Sequence, residues 1–93
     1  MLVLTRTPGQ SLWIGDDIEI TLLEPIGDQV RLRITNPKGL PAQREALCVQ
    51  DDRITLTEEI TVVIVQVRPD RVRLGFIAPD NAAIRRAKTG ITK

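Results

Sequence analysis

Apolar and polar residues alternate with period two along much of this chain. From Asp17 to Leu22 every even-numbered position is apolar (Ile18, Ile20, Leu22), and from Gln29 to Thr35 the same parity returns at Val30, Leu32 and Ile34. Successive side chains of a strand point to opposite faces, so each segment predicts a half-buried strand. Glu24-Pro25-Ile26-Gly27-Asp28 between them carries the residues of a turn, and the three pieces predict a hairpin. A second hairpin follows from Ile60 to Val67, a turn at Arg68-Pro69-Asp70, and a return from Arg71 to Phe76. Before the first hairpin, Met1 to Arg6 predicts a strand, Pro8-Gly9 a turn, Ser11 to Ile14 a short strand and Gly15-Asp16 another turn. Local propensity favours short helices from Pro41 to Leu47 and from Asn81 to Lys88, the latter with Asp80 as N-cap, although a sheet partner would override it. Segment 41–50 is therefore open between strand and helix. No Gly or Asn interrupts it, and no Pro after Pro41, so one continuous element is expected up to a turn at Asp51-Asp52.

The two hairpins superpose without a gap at an offset of 42 residues. Ile18 falls on Ile60, Ile20 on Val62, Leu22 on Ile64 and Asp28 on Asp70. Val30-Arg31-Leu32 falls on Val72-Arg73-Leu74, Pro37 on Pro79, and Arg44 on Arg86. Shared alternation alone would be weak evidence of kinship. The identical Val-Arg-Leu core with matched turns and prolines marks an internal duplication.

Composition narrows the chemistry. The 93 residues are 42% hydrophobic and 27% charged, a globular profile and the size of one small domain rather than two independent ones. No apolar run approaches the ~18 residues of a membrane span, and the first residues lack a signal-peptide layout, so a cytoplasmic protein is expected. The chain has no histidine and one cysteine, Cys48. A disulfide framework and a Cys-rich zinc site are excluded, and the commonest general base and metal ligand is missing. No enzyme and no cofactor are expected. The net charge of +1 gives no broad footprint for duplex DNA or a membrane surface. Residues 1–49 carry 5 basic and 6 acidic side chains and residues 50–93 carry 8 and 6, the late excess resting on Arg85, Arg86, Lys88 and Lys93.

Met1-Leu2-Val3-Leu4-Thr5-Arg6, Gly9, Leu12, Ile14-Gly15-Asp16, Gln29-Val30-Arg31-Leu32, Pro37-Lys38 and Arg44-Glu45 closely resemble the carbon storage regulator (CsrA/RsmA) family, without a gap over residues 1–47. Residues 48–93 resemble it more loosely, through Ile60–Val67, Arg71–Ile77, Ala78-Pro79 and Ile84-Arg85-Arg86. Typical members are single units that form homodimers, so two units in one chain is a departure. The resemblance implies an all-β fold in which two five-stranded units interleave, here as a single-chain pseudo-dimer of antiparallel sheets. It makes residues 1–93 one compact domain of two repeats, with no room after Glu45 for the family's short C-terminal helix. It also implies binding of single-stranded GGA motifs in messenger RNA leaders, which in the family represses translation or alters transcript lifetime, with each RNA site joining the first strand of one unit to the fifth strand of the other.

By this resemblance Leu4, Thr5 and Arg6 form a first-strand RNA edge, and Ala82, Ile84, Arg85 and Arg86 the fifth strand opposite. Lys38 and Arg44 are weaker candidates. Composition alone would read Leu4 as core, Arg6 as a solvated strand charge, and the C-terminal arginines and lysines as a solvated tail. Phe76, on the parity of Val72 and Leu74, is expected in the core; Trp13 is read as packing and Cys48 as a small buried hydrophobe. The offset places Ala46-Leu47-Cys48 on Leu4-Thr5-Arg6, so the second unit lacks the first-strand motif. One RNA site per chain is therefore expected, built from the beginning and the end of the chain, with Arg86 essential and Arg44 dispensable or structural. The expected partner is messenger RNA, with a protein antagonist conceivable. A monomer is expected, with a homodimer as the alternative. A second reading is a protein-interaction module that keeps the scaffold and has lost RNA.

Overall fold

The computed structural model describes residues 1–15, 17–39, 41–79 and 84–85. They form nine strands and no helix: β1 Leu2–Arg6, β2 Ser11–Ile14, β3 Ile18–Ile26, β4 Gln29–Thr35, β5 Gln43–Val49, β6 Arg53–Thr55, β7 Thr61–Val67, β8 Val72–Ile77 and β9 Ile84–Arg85. The alternation read from sequence holds residue by residue. Ile18, Ile20, Leu22, Val30, Leu32 and Ile34 are buried from the first hairpin, and Val62, Ile64, Val72, Leu74 and Phe76 from the second. The two apolar faces close one shared core, completed by Leu4, Leu12, Ile14 and Cys48, with no buried charged or polar residue among those described. Burial of a side chain such as Leu32 or Phe76 stabilises by about 1.5–3 kcal/mol.

Strands exchange between the repeats. One sheet runs β1-β8-β7-β6 and the other β5-β4-β3-β2-β9, with every pair antiparallel. The chain's first strand thus lies in the sheet of the second hairpin, and its last described strand lies beside β2 in the sheet of the first. The offset of 42 holds in three dimensions as well. β3 and β4 slip register between Leu22 and Glu24, and β7 and β8 slip at the equivalent Ile64 and Gln66. Bulges of this kind add local twist, and here each helps its sheet wrap the common core. The first hairpin turns more tightly than its sequence suggests. Glu24, Pro25 and Ile26 belong to β3, and Gly27 at φ 63° heads a two-residue turn, where a positive φ fits the twist of the strands.

Within segment 41–50, Gln43–Val49 is a strand, which corrects the short helix favoured from Pro41 to Leu47; of the helix favoured from Asn81 to Lys88 only Ile84-Arg85 is described, as strand β9, and the rest lies outside the described residues. β5 gains a full ladder with β4, from Gln29↔Val49 to Thr35↔Gln43, and Ile84-Arg85 pairs with β2. A sheet partner outweighs a propensity of a few tenths of a kcal/mol per residue. The pairing also identifies what β5 is. Leu4 stands opposite Leu74 and Arg6 opposite Val72, whereas Ala46 stands opposite Leu32 and Cys48 opposite Val30, each pair displaced by the repeat. The turn after β1 is rebuilt after β5. Gly9 N–H donates to Leu22 O (2.7 Å) and Leu22 N–H to Gln10 O (2.9 Å); Asp51 N–H donates to Ile64 O (2.6 Å) and Ile64 N–H to Asp52 O (2.9 Å). Even the side-chain clasp recurs, from Thr7 N–H to Gln10 Oε1 and from Val49 N–H to Asp52 Oδ2, both 2.9 Å. β5 is the first strand of the second repeat.

Candidate nucleic-acid interface

β1 is an edge strand, with β8 on one side only. Antiparallel strands turn the backbone groups of alternate residues toward the partner and those between toward the open side. In the equivalent β5–β4 ladder, Asn36 N–H donates to Ala42 O (2.7 Å) two residues beyond the pair Ile34↔Arg44, so Arg44, Ala46 and Cys48 turn their backbone groups to β4. This sets the phase: Val3 and Thr5 present N–H and C=O to the open edge of β1. Thr5 is exposed, and its carbonyl accepts a bond from Arg6 Nε at 2.7 Å. Arg6 is half-buried, and its Nη1 donates to Ser11 O at 3.4 Å, so the guanidinium folds along the strand end. The side chain of Leu4 belongs to the core and serves this edge by anchoring it.

β9 is the edge strand of the other sheet, with Ile84 opposite Ile14 and Arg85 opposite Trp13. A groove of about 440 Å³ runs between the two edges, lined by Met1, Leu2, Phe76, Ile77, Ala78, Pro79 and Ile84. The beginning and the end of the described chain therefore meet. Gly75 contributes by its missing side chain: a Cβ there would stand 2.6 Å from Met1 Sδ, so Met1 can lie across β8 at the groove. Ala82 and Arg86 lie outside the described residues.

The repeat relates this groove to a second cavity of about 200 Å³, lined by Ile34, Asn36, Gly39, Pro41, Arg44 and Leu56. Ile34 there corresponds to Phe76, Asn36 to Ala78, and Arg44 to Leu2. Matching Arg44 to a fifth strand is thus corrected. It lies in β5 opposite Ile34, in the place Leu2 takes opposite Phe76, and its strand pairs with β4 rather than β6. Lys38 is exposed at a turn, 4.0 Å from Asp17 Oδ2. On the altered edge, Leu47 is 53% exposed where β1 has Thr5, and Cys48 is buried where β1 has Arg6. Burial foremost, and then the Asp52 carboxylate, push the Cys48 thiol pKa up against a smaller pull from Arg44. Phe76 is in the core as expected, whereas Trp13 packs half-buried on the outer face.

Sequence reasoning missed β6, whose three residues are too few to show a period; the offset from Ser11-Leu12-Trp13 would have found it. It also passed over Met1, Leu2 and Pro79 as groove residues, though Pro79 was marked by its match to Pro37. No group of three potential metal ligands occurs among the described residues, and no helix among them is long and apolar enough to cross a membrane.

Two successive segments, residues 1–52 and 49–89, match CsrA, described as the global regulator protein family. The chain belongs to the CsrA family. Among curated CsrA relatives, the translational regulator CsrA of Leifsonia xyli subsp. xyli is 53% identical over 45 residues, covering 48% of this chain and 53% of that protein. The translational regulator CsrA of Pseudarthrobacter chlorophenolicus is 57% identical over 44 residues, covering 47% and 57%. That of Hydrogenovibrio crunogenus is 49% identical over 53 residues, covering 57% and 76%. The chain spans about half the length of the first two relatives. No solved structure gives a significant match. The two CsrA segments overlap only at residues 49–52, so the sequence match assigns most of β5 to the first unit. Its pairing gives it to the second.

Proposed function

We propose that this chain is a cytoplasmic, non-catalytic post-transcriptional regulator that binds messenger RNA at one site, where β1 meets β9. The observation carrying this reading is the groove that joins the two edges, together with the altered repeat-related place, where Ala46-Leu47-Cys48 replaces the first-strand motif and no strand flanks β6 among the described residues. Three similar proteins are named translational regulators. Specific recognition of RNA targets unpaired bases through their edges, and the outward N–H and C=O groups of Val3 with the outward N–H of Thr5 offer donors and an acceptor for a GGA segment. Arg6, Arg85 and Arg86 supply phosphate contacts, and a protein seated on a leader blocks ribosome access. The chain acts as a single compact domain and as a monomer.

Calorimetric titration with an RNA bearing one GGA in a hairpin loop tests the reading. A stoichiometry near one RNA per chain is expected. Arg6→Ala should weaken binding by about 1–3 kcal/mol, the scale of a lost charge-assisted hydrogen bond, with an unchanged melting curve. Arg86→Ala should remove most binding and Arg44→Ala little. Two equivalent sites, or the reverse ranking of the two arginines, would refute the single site; no binding at all would refute the RNA reading.

A further inference from the structure

One corner of the molecule differs sharply in charge from its counterpart in the other repeat. At the turn of the second hairpin, Arg68 N–H donates to Arg71 O (2.9 Å), and the next pairs are Val67↔Val72 and Gln66↔Arg73. Val67 and Val72 pack on the core, so Arg68, Arg71 and Arg73 share the outer face of the sheet, and all three are exposed. Thr5 stands opposite Arg73, which joins this face to the β1 edge. We propose, resting on the single-site RNA reading, that this face holds the phosphate backbone of the RNA that continues beyond the segment bound at β1.

The duplication supplies the comparison. By the offset of 42, Arg68, Arg71 and Thr5 correspond to Ile26, Gln29 and Leu47, and Gln66 to Glu24. Arg31, the counterpart of Arg73, is matched by Glu24 at 3.2 Å. Ile26 and Leu47 are exposed apolar residues. One repeat thus presents an apolar corner with a closed ion pair, and the other a corner of three arginines. Among the described residues only Arg71 of the three enters an ion pair, with the adjacent Asp70 at 3.4 Å. The remaining carboxylates of this region lie apart from the corner. Asp51 and Asp52 bond the backbone of Ile64, on the side of β7 away from β8. Glu58 and Glu59 lie in the turn before β7, at the opposite end of the hairpin.

Three guanidinium groups on one exposed face suit a chain of phosphates, each of which accepts paired hydrogen bonds from arginine. Continuity with β1 selects RNA among polyanions. From Leu2 at the groove to Thr5 beside Arg73 is about 10 Å at ~3.4 Å per residue, so one strand of RNA reaches both. The counterpart corner, which lies beside the altered edge at Leu47, has no such charge.

The test measures binding of unstructured RNAs to the full chain by fluorescence anisotropy. One RNA ends at its GGA segment, and two others are extended on one side or the other. One extension should bind about tenfold more tightly than the short RNA at low salt. In the Arg68→Gln, Arg71→Gln, Arg73→Gln variant that advantage should vanish, with the short RNA and the Tm unaffected. The slope of log affinity against log salt for the extended RNA should fall by about 2, the effect of three single-strand phosphate contacts. Gln66→Glu, which rebuilds the Glu24–Arg31 arrangement here, should lower the advantage about twofold, and Arg31→Gln should leave it intact. An unchanged salt slope in the triple variant, or equal losses for short and extended RNAs, would overturn the proposal and leave the groove reading standing. Equal displacement of the extended RNA by polyglutamate would overturn it in favour of an acidic protein segment. Arginine-dependent binding of the extended RNA without binding of the short one would uphold this face and refute the groove reading; binding of neither would overturn both.

Discussion

Asp51 is the one non-glycine residue with positive φ among those described, at 75°, and its repeat equivalent is Gly9 at 90°. Both serve the same turn, with the same pair of backbone bonds to β3 or β7. An L-residue in the left-handed region costs roughly 1–2 kcal/mol, less for aspartate, and glycine escapes that cost while losing more chain entropy on folding. Asp51→Gly should therefore stabilise the protein by about 0.5–1 kcal/mol, read as a rise of a few degrees in Tm, and Gly9→Asp should do the opposite. A fall in Tm for Asp51→Gly would show that its side chain earns its place. Cys48 adds a pH dependence. Its folded pKa is raised, so the folded state holds the proton more tightly than the unfolded chain does. That contribution is complete below the unfolded thiol value, about 8.5, and is lost as pH rises through the folded value. Urea unfolding should show stability declining above about pH 8.5, and the decline should lessen in Cys48→Ala.

Among the elements, β5 departs furthest from local expectation. The hairpins were legible because Ile18, Ile20 and Leu22, or Val30, Leu32 and Ile34, state their period within a few residues. The first-strand edge was legible from a motif, and its meeting with the end of the chain from the asymmetry between the repeats. β5 was ambiguous because Gln43-Arg44-Glu45-Ala46-Leu47 suits a helix, and only the ladder to β4 decides otherwise. Its role as the second unit's first strand was half-visible: the offset aligned Ala46 with Leu4, but Arg44 also matched Arg86, and sequence could not rank the two frames. β5 is a seven-residue edge with Leu47 53% and Val49 37% exposed on one face, near Ile26 at 42%. Natural edges carry charge to discourage pairing between molecules. Leu47→Lys should reduce light scattering on heating while changing stability by less than about 0.5 kcal/mol. Unchanged scattering would show that this edge does not drive association.

At the scale of the molecule, neither repeat owns its sheet. Removing residues 53–85 would strip β8 from β1 and β9 from β2, leaving Leu4, Leu12 and Ile14 without their cover. The intact chain should unfold in one transition, with coincident loss of far-ultraviolet circular dichroism and tryptophan fluorescence. Its Tm should be the same at low and high micromolar concentration, because each strand exchange is internal. A Tm that rises with concentration would mean that a second chain contributes to the fold.

The internal strand exchange has a genetic consequence. In a regulator assembled from separate chains, a defective copy can combine with a sound one and spoil both. Here β1, β5 and β9 are supplied from within, so each copy makes these strand exchanges internally. An Arg6→Ala variant co-expressed with the unaltered protein should dilute binding in proportion to its share and no further. Its defects should behave as recessive.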